Sequence, residues 1–321
     1  MRLMPLLLAA AVFGGSGAAQ AAKWDMPTPY PDGNFHTQNI RQFADEVKAA
    51  TGGKVEIVVH SNGALIKHPE IKRAVQTGQV PLGEVLISSL SNEDPIYGID
   101  SVPFLATDYA AARKLYDASK SVLEQRLDKQ GLKLLFSVPW PPQGLYTKTE
   151  AKSLAELKGV KFRAYNPATS RIAELGGMVP TKVEAAEVPQ AFATGVVQAM
   201  ITSAATGVDT KAWEYTKFYY DTQAWLPRNM VIISKDALAG LDETTRKALL
   251  DVAAKAEKRG WETSQAKNGE LKETLSKNGI SVQPPPAQLK QDFDAIGKTM
   301  TADWIKQAGA DGEAVIAKFR Q

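Results

Sequence analysis

The chain carries three histidines, His36, His60 and His68, and no cysteine. Without a thiol there is no disulfide framework, no thiolate zinc site, no iron–sulfur cluster and no cysteine nucleophile. Three imidazoles are few for metal or triad chemistry, although His60 and His68, following one predicted strand, are placed to approach each other. Asp32-Gly33-Asn34 and Asn92-Glu93-Asp94 offer calcium-type oxygens. Neither has the spacing of an EF-hand loop, and turn chemistry accounts for both. No G-x-S-x-G elbow, Walker A loop, G-x-G-x-x-G fingerprint or H-E-x-x-H helix is present, and the single S-x-x-K match, Ser264 to Lys267, falls inside a predicted helix. What the chain does concentrate is aromatic surface: Tyr215, Phe218, Tyr219, Tyr220 and Trp225 lie close together. Alternating strand residues of this kind predict core on one face and an interface on the other.

These residues must be positioned by a chain of 321 residues in which 38 Lys and Arg oppose 35 Asp and Glu. A formal net charge of +3 is too small to predict a nucleic-acid partner. With 44% apolar and 23% charged residues the composition is that of a globular protein, and the length exceeds one usual hydrophobic core, so two compact lobes are expected. Arg2, the apolar run from Leu3 to Phe13 and Ala19-Gln20-Ala21 form the pattern of a secretory signal peptide over residues 1–21, cleaved near Ala21. The run is too short to span a bilayer of roughly 30 Å. Export with no cysteine points to the bacterial periplasm.

Beyond Ala21 the chain alternates strands and helices. Strands are predicted over 24–28, 54–59, 85–87 and 132–138, with helices around Phe35, Ile40, Phe43 and Val47 and over 69–77. Further strands fall at 160–164, 182–183, 199–202, 218–224 and 230–234, with helices at 167–175 and 188–193. The alternation predicts an α/β fold with a largely parallel sheet. PWPPQG and Trp225-Leu226-Pro227-Arg228 interrupt it, predicting that the chain crosses between lobes near residues 139–147 and 225–231. From Asp242, a good N-cap, to Asn278-Gly279 no proline occurs, which predicts one long helix or two abutting ones; a single helix would reach across both lobes. Pro284 to Pro286 stop it, and amphipathic helices around Leu289, Phe293, Ile296, Trp304, Ile305 and Phe319 complete the chain.

The stretch LKGVKFRAYNPATSR, residues 157–171, resembles the solute receptors of tripartite ATP-independent periplasmic (TRAP) transporters, of the dicarboxylate-receptor (DctP) type. GNFHTQNIRQFADEVKAATGGKVEI, EVPQAFATGVVQAMITSA and KFYYDTQAWLPRNMVIISKDAL extend the likeness over nearly the whole chain. The resemblance implies a two-lobed, hinge-closing periplasmic-binding-protein-like fold braced by a long helix. Residues 22–143 with 229–270 would form one lobe, and 144–228 with 271–321 the other. It further implies a monomeric receptor without cofactor or metal that delivers an organic acid to the integral-membrane permease subunits.

The family's arginine, which grips a ligand carboxylate with both forks, falls on Arg163. Where many members carry a second arginine, SVPWPPQGLYT places Gln143. Where members read D-G-Q-E-N-P after G-V-V, this chain reads GVVQAMITSA, with Thr202 or Ser203 in place of the asparagine. Those departures disfavour a sugar acid. A flatter monocarboxylate, aromatic or a small keto or hydroxy acid, suits a cleft with Trp140, Trp213 or Trp225 as walls and Gln143, Asn166, Thr202 and Ser203 as neutral partners. His68 and Ser88 lie near equivalent strand ends of the first lobe. The alternative, a secreted α/β hydrolase or lyase using the same cleft, would also require a nucleophile or an acid–base pair.

Overall fold

The computed structural model describes residues 21–321, so the leader predicted over residues 1–21 lies, apart from Ala21, outside the described residues. β1 (Ala22–Pro27) and β2 (Val55–His60) pair in parallel around α1 (Phe35–Ala50). The Asn34 side chain starts that helix by accepting from the His36 N–H, and Phe35, Ile40, Phe43 and Val47 form its buried face. α2 (His68–Gln76) leads to β3 (Leu82–Leu86), and α3 (Tyr109–Asp128) to β4 (Leu132–Pro139). α3 is absent from the sequence-based assignment. Its buried stripe includes Ala112, Ala118 and Ser119 beside Leu115, Tyr116, Leu123 and Leu127, and small or polar members blur a helical period.

The second layer contains β5 (Gln143–Thr147), β6 (Lys161–Ala164), α4 (Pro167–Leu175), β7 (Val179–Lys182), α5 (Val188–Ala193), β8 (Ala199–Ser203), α6 (Ala204–Asp209) and β9 (Phe218–Tyr220). The chain then returns through β10 (Arg228–Ser234), α7 (Lys235–Ala239), α8 (Glu243–Lys277), β11 (Ser281–Gln283) and α9 (Ala287–Arg320), the last broken at Gly309. β9 is shorter than the strand predicted over 218–224. Asp221 still bonds back to Gln283, but Gln223 adopts a left-handed φ of 46° that no strand continues through.

Described strands form three sheets: β1–β2, β3–β10–β4 and β11–β9–β5–β8–β6–β7. A largely parallel sheet was expected, yet β10 runs antiparallel to both β3 and β4, and β5 antiparallel to both β8 and β9. The physical reason lies in the crossings. β5 and β10 each arrive from the opposite lobe, so neither is delivered by the local helix that makes a βαβ unit parallel. The two crossings run side by side, with Trp140 N–H donating to the Pro227 carbonyl at 2.8 Å and Gln143 N–H to that of Trp225 at 3.0 Å.

α8, with 35 residues, extends about 52 Å and touches both lobes. In the first, Asn39 Nδ2 donates to the Ala256 carbonyl at 3.0 Å and Trp261 Nε1 to that of Ser137 at 2.9 Å. In the second, Lys272 meets Asp221 at 2.8 Å and Leu275 is buried with Tyr146 and Tyr219. α9 also bridges: Asp292 accepts from the Leu154 N–H, while Trp304, Val315 and Ile316 pack with Ile96, Ile99 and Leu115. Among the described residues, no helix is long and apolar enough to cross a membrane.

Gly260 allows α8 to lie this close. A Cβ there would meet Val138 Cγ2 at 2.4 Å and Asn39 Nδ2 at 3.0 Å, whereas one at Gly269 in the same helix would meet nothing within 4 Å. Gly260→Ala should therefore lose about 1–2 kcal/mol in urea unfolding, and Gly269→Ala should gain up to about 1 kcal/mol. Equal gains at both positions would show that the contact on β4 is loose.

Candidate functional site

Between the lobes lies a cavity of about 310 Å³, and Arg163 is its charged wall. β6 supplies that arginine by simple alternation: Phe162 is fully buried in the core, and the next side chain points the opposite way into the cavity. Arg163 Nε donates to the Val183 carbonyl at 2.9 Å, and its Cζ lies 4.8 Å from the centre of the Tyr165 ring. Those two contacts set the guanidinium plane. Its terminal nitrogens have no hydrogen-bond partner among the described residues, although the residue is only 3% exposed. Burial pulls the guanidinium below its ordinary pKa, with Tyr165 and Glu184 acting in the opposite direction, and it stays charged because arginine starts so far above neutrality.

Neutral groups line the cavity beside the charge, and Lys67, Glu184 and Glu187 also border it. Gln143 Oε1 accepts from the Tyr165 hydroxyl at 2.9 Å and Nε2 donates to the Pro141 carbonyl at 3.0 Å, which leaves one amide proton. Thr202 and Ser203 end β8 opposite Gly144 and Gln143. The Ser203 hydroxyl accepts from the Thr206 N–H at 3.2 Å and so starts α6, while the Thr202 hydroxyl has no partner among the described residues. Trp140 and Tyr30 make an aromatic corner, centroids 4.8 Å apart and planes at 71°. Under it, Asn229 accepts from both, and its Nδ2 donates to Glu84 at 2.8 Å. Burial pushes the Glu84 carboxyl up to about 7 despite hydrogen bonds from Thr28 and Asn229.

Side-chain bonds tie one lobe to the other around this cavity, Asn166 also reaching Ser101 Oγ at 3.4 Å. His68 Nδ1 lies 3.0 Å from Glu184 Oε2, Asn166 Nδ2 donates to Ser88 Oγ at 2.9 Å, and Asn34 Nδ2 donates to Asp209 Oδ2 at 2.6 Å. His68 Nε2 accepts from the Leu86 N–H at 3.2 Å, which puts its proton on Nδ1, facing Glu184. Burial raises the Glu184 pKa, but the hydrogen bond with His68, with Lys182 and Arg163 nearby, outweighs it and holds the carboxyl low.

Of the residues singled out in the sequence, Arg163, Gln143, Trp140, Thr202, Ser203 and His68 line the cavity. Asn166 and Ser88 instead bond to each other beside it, because Asn166 caps α4 through its oxygen and only its Nδ2 is free to reach across. Trp225 is 1% exposed within the core and Trp213 packs in the Phe192–Tyr219 cluster, so neither reaches the cavity. Tyr30, Tyr165 and Glu184 do, and sequence reasoning passed them over. Tyr165 was within reach, since alternation from Arg163 places it two residues on along the same face. His60 and His68 take separate partners, His60 bonding Asp25 at 2.7 Å. Among the described residues no group of three or more His, Cys, Asp or Glu is placed to hold a metal ion.

Residues 28–307 match the family model described as bacterial extracellular solute-binding protein, family 7. The chain is similar to DctP7 of Bordetella pertussis, an extracytoplasmic solute receptor binding pyroglutamic acid: 55% identical, covering 94% of this chain and 100% of that one, with a TM-score of 0.93. It is similar to DctP6 of the same organism, which also binds pyroglutamic acid, at 49% identity, 93% and 99% coverage and a TM-score of 0.92. A marine metagenome TRAP solute-binding protein specific for pyroglutamate, solved with that ligand co-purified, shares 45% identity over 94% of this chain and 99% of that one, TM-score 0.92.

Glu84 gives the site a measurable pH signature. With a pKa raised from 4.5 to about 7, the folded state holds a proton that the unfolded chain has already released, so stability falls as pH rises through that window. Glu84→Gln removes this loss and should gain on wild type between pH 5 and pH 8, by up to about 3 kcal/mol in denaturant unfolding. A difference that is the same at both pH values would contradict the assigned titration.

Proposed function

The chain belongs to the bacterial extracellular solute-binding proteins of family 7, TRAP-type solute receptors, and from that membership we propose that its own solute is pyroglutamate. One observation carries the reading: a buried guanidinium, positioned by Val183 and Tyr165, whose two terminal nitrogens face the cavity between the lobes with no carboxylate of the described residues within ion-pair distance. A buried charge of this kind demands a counter-ion, and a carboxylate matches two parallel N–H groups. Three receptors at 45 to 55% identity that bind pyroglutamate support the choice of acid.

Pyroglutamate presents one carboxylate, a planar lactam and two apolar methylenes. Its carboxylate pairs with Arg163. The lactam takes the neutral groups of Gln143, Thr202 and Ser203, and the methylenes lie against Trp140 and Tyr30. His68, through Glu184, and Asn166, through Ser88, act on closure, while Trp213 and Trp225 support the wall from behind. Residues 22–143 and 229–270 make one lobe and 144–228 with 271–321 the other, with the end of α9 leaning back onto α3. After cleavage near Ala21 the receptor works as a monomer in the periplasm and passes its ligand to the membrane permease, without a cofactor or catalysis of its own. The hydrolase or lyase reading gains no support from the cavity, where Ser203 is engaged as a helix cap and His68 with Glu184.

Calorimetry with pyroglutamate tests the proposal. Arg163→Ala should lose about 2–5 kcal/mol, roughly 30- to several-thousand-fold in Kd, because it leaves a carboxylate unpaired in the closed cavity. Arg163→Lys should recover only part, since an ammonium lacks the planar fork. Gln143→Ala should cost about 0.5–1.5 kcal/mol. Wild-type affinity in a folded Arg163→Ala would remove Arg163 from the site, and no binding by the wild type would remove pyroglutamate.

A further inference from the structure

The aromatic corner of the cavity rests on a side chain that does not line it. Asn229, on β10 and 2% exposed, accepts through Oδ1 from Trp140 Nε1 at 2.9 Å and from the Tyr30 hydroxyl at 3.2 Å. Its Nδ2 donates to Glu84, which is 1% exposed on β3 and takes the Thr28 hydroxyl on its other oxygen. Val231 is the register partner of Glu84, so Asn229 and Glu84 stand diagonally on one face of the sheet.

The two ends of a carboxamide are chemically opposite. An indole N–H can only donate, so the end facing Trp140 must be the oxygen. The nitrogen end then needs an acceptor, and Glu84 is the one within reach. Were the amide reversed, two N–H groups would confront each other at Trp140 and an oxygen would confront the carboxylate. Trp140 and Glu84 thus agree on one sense of Asn229, and Asn229, held by Glu84, anchors Trp140 and Tyr30. His36 closes the far side, its ring 4.4 Å from that of Trp140 and its Nδ1 3.7 Å from Glu84. Burial holds His36 well below its ordinary pKa, so that neighbour remains neutral.

We infer that Glu84 and Asn229 are positioning residues that set the ring preference of the receptor, by holding Trp140 and Tyr30 at the angle that receives a flat cyclic carboxylate. A rigid ring enters such a corner with only its carboxylate torsion left to freeze, whereas the open-chain counterpart, carrying the same carboxylate and amide on a flexible chain, has several more to immobilise. Loosening the corner removes more from the ring than from the chain. The ligand readout rests on the pyroglutamate reading above.

The test compares wild type with Asn229→Asp and with the exchange Glu84→Gln plus Asn229→Asp, measuring Kd for pyroglutamate and for glutaramate, its ring-opened analogue. At pH 8, above the Glu84 titration, Asn229→Asp keeps an oxygen for Trp140 but sets a second carboxylate against Glu84. It should weaken pyroglutamate binding by about tenfold or more and lower the ratio of the two affinities. The exchange restores an N–H donor between the two positions and should return both quantities to within about threefold of wild type. In ligand-free protein, the Trp140 indole N–H resonance, assigned by its loss in Trp140→Phe, should move in the single variant and return in the exchange. The inference is overturned if folded Asn229→Asp keeps the wild-type ratio, or if the exchange is no better than the single change. If Asn229→Asp does not fold, the exchange alone decides: folded with the wild-type ratio it supports the inference, and unfolded or with a lowered ratio it overturns it. A wild type that binds no pyroglutamate would fail the ligand reading alone, and the indole resonance would still judge the pair.

Discussion

An arginine buried in the wall of a cavity with no carboxylate of the described residues in ion-pair contact is the constraint around which the rest is arranged. Withdrawing a guanidinium from water is expensive unless every N–H finds an acceptor. The protein supplies one, the Val183 carbonyl, and a ring face at Tyr165, and leaves the remainder open to the cavity. β6 can hold such a group because it lies between β8 and β7 in the six-stranded sheet, where neighbouring strands fix its register on both sides. The charge is thus placed by a strand paired on both edges, and on the proposed reading it is the ligand that completes the ion pair.

Closure follows from the same electrostatics, since a charge pair strengthens as water is excluded from around it. The lobes meet through His68 with Glu184, Asn166 with Ser88, and Asn34 with Asp209, side-chain bonds that lie outside the backbone ladders of either lobe. Two crossings bonded side by side, together with α8 and α9, connect the lobes more permanently. Burial in this closed arrangement raises the Asp209 carboxyl to about 6 even with Asn34 donating to it, a sign that the rim is well withdrawn from solvent.

Much of this was legible in the amino-acid sequence where local physics decides. The proline-rich break at 139–142, the Asp242 cap and the uninterrupted run behind it depend on nearby residues alone, and α8 forms where they indicate. Strand direction was not legible, because β5 and β10 owe their antiparallel setting to partners from the other lobe. For the cavity, the likeness around FRAYN pointed at Arg163, and alternation would have added Tyr165. No local pattern reveals that Asn166 spends its oxygen on a helix cap and its nitrogen on Ser88, or that Trp225 lies in the core while Tyr30, 195 positions earlier, lines the cavity. Those are consequences of tertiary packing, where side chains distant in sequence compete for the same space.

The central claim is a carboxylate held by both terminal nitrogens of Arg163, and a crystal structure of the protein grown with pyroglutamate examines it directly. The account predicts both carboxylate oxygens within about 3 Å of those nitrogens, with the lactam ring seated against Trp140 and Tyr30. A ligand whose carboxylate bonds elsewhere in the cavity, leaving the Arg163 terminal nitrogens to water, would contradict it.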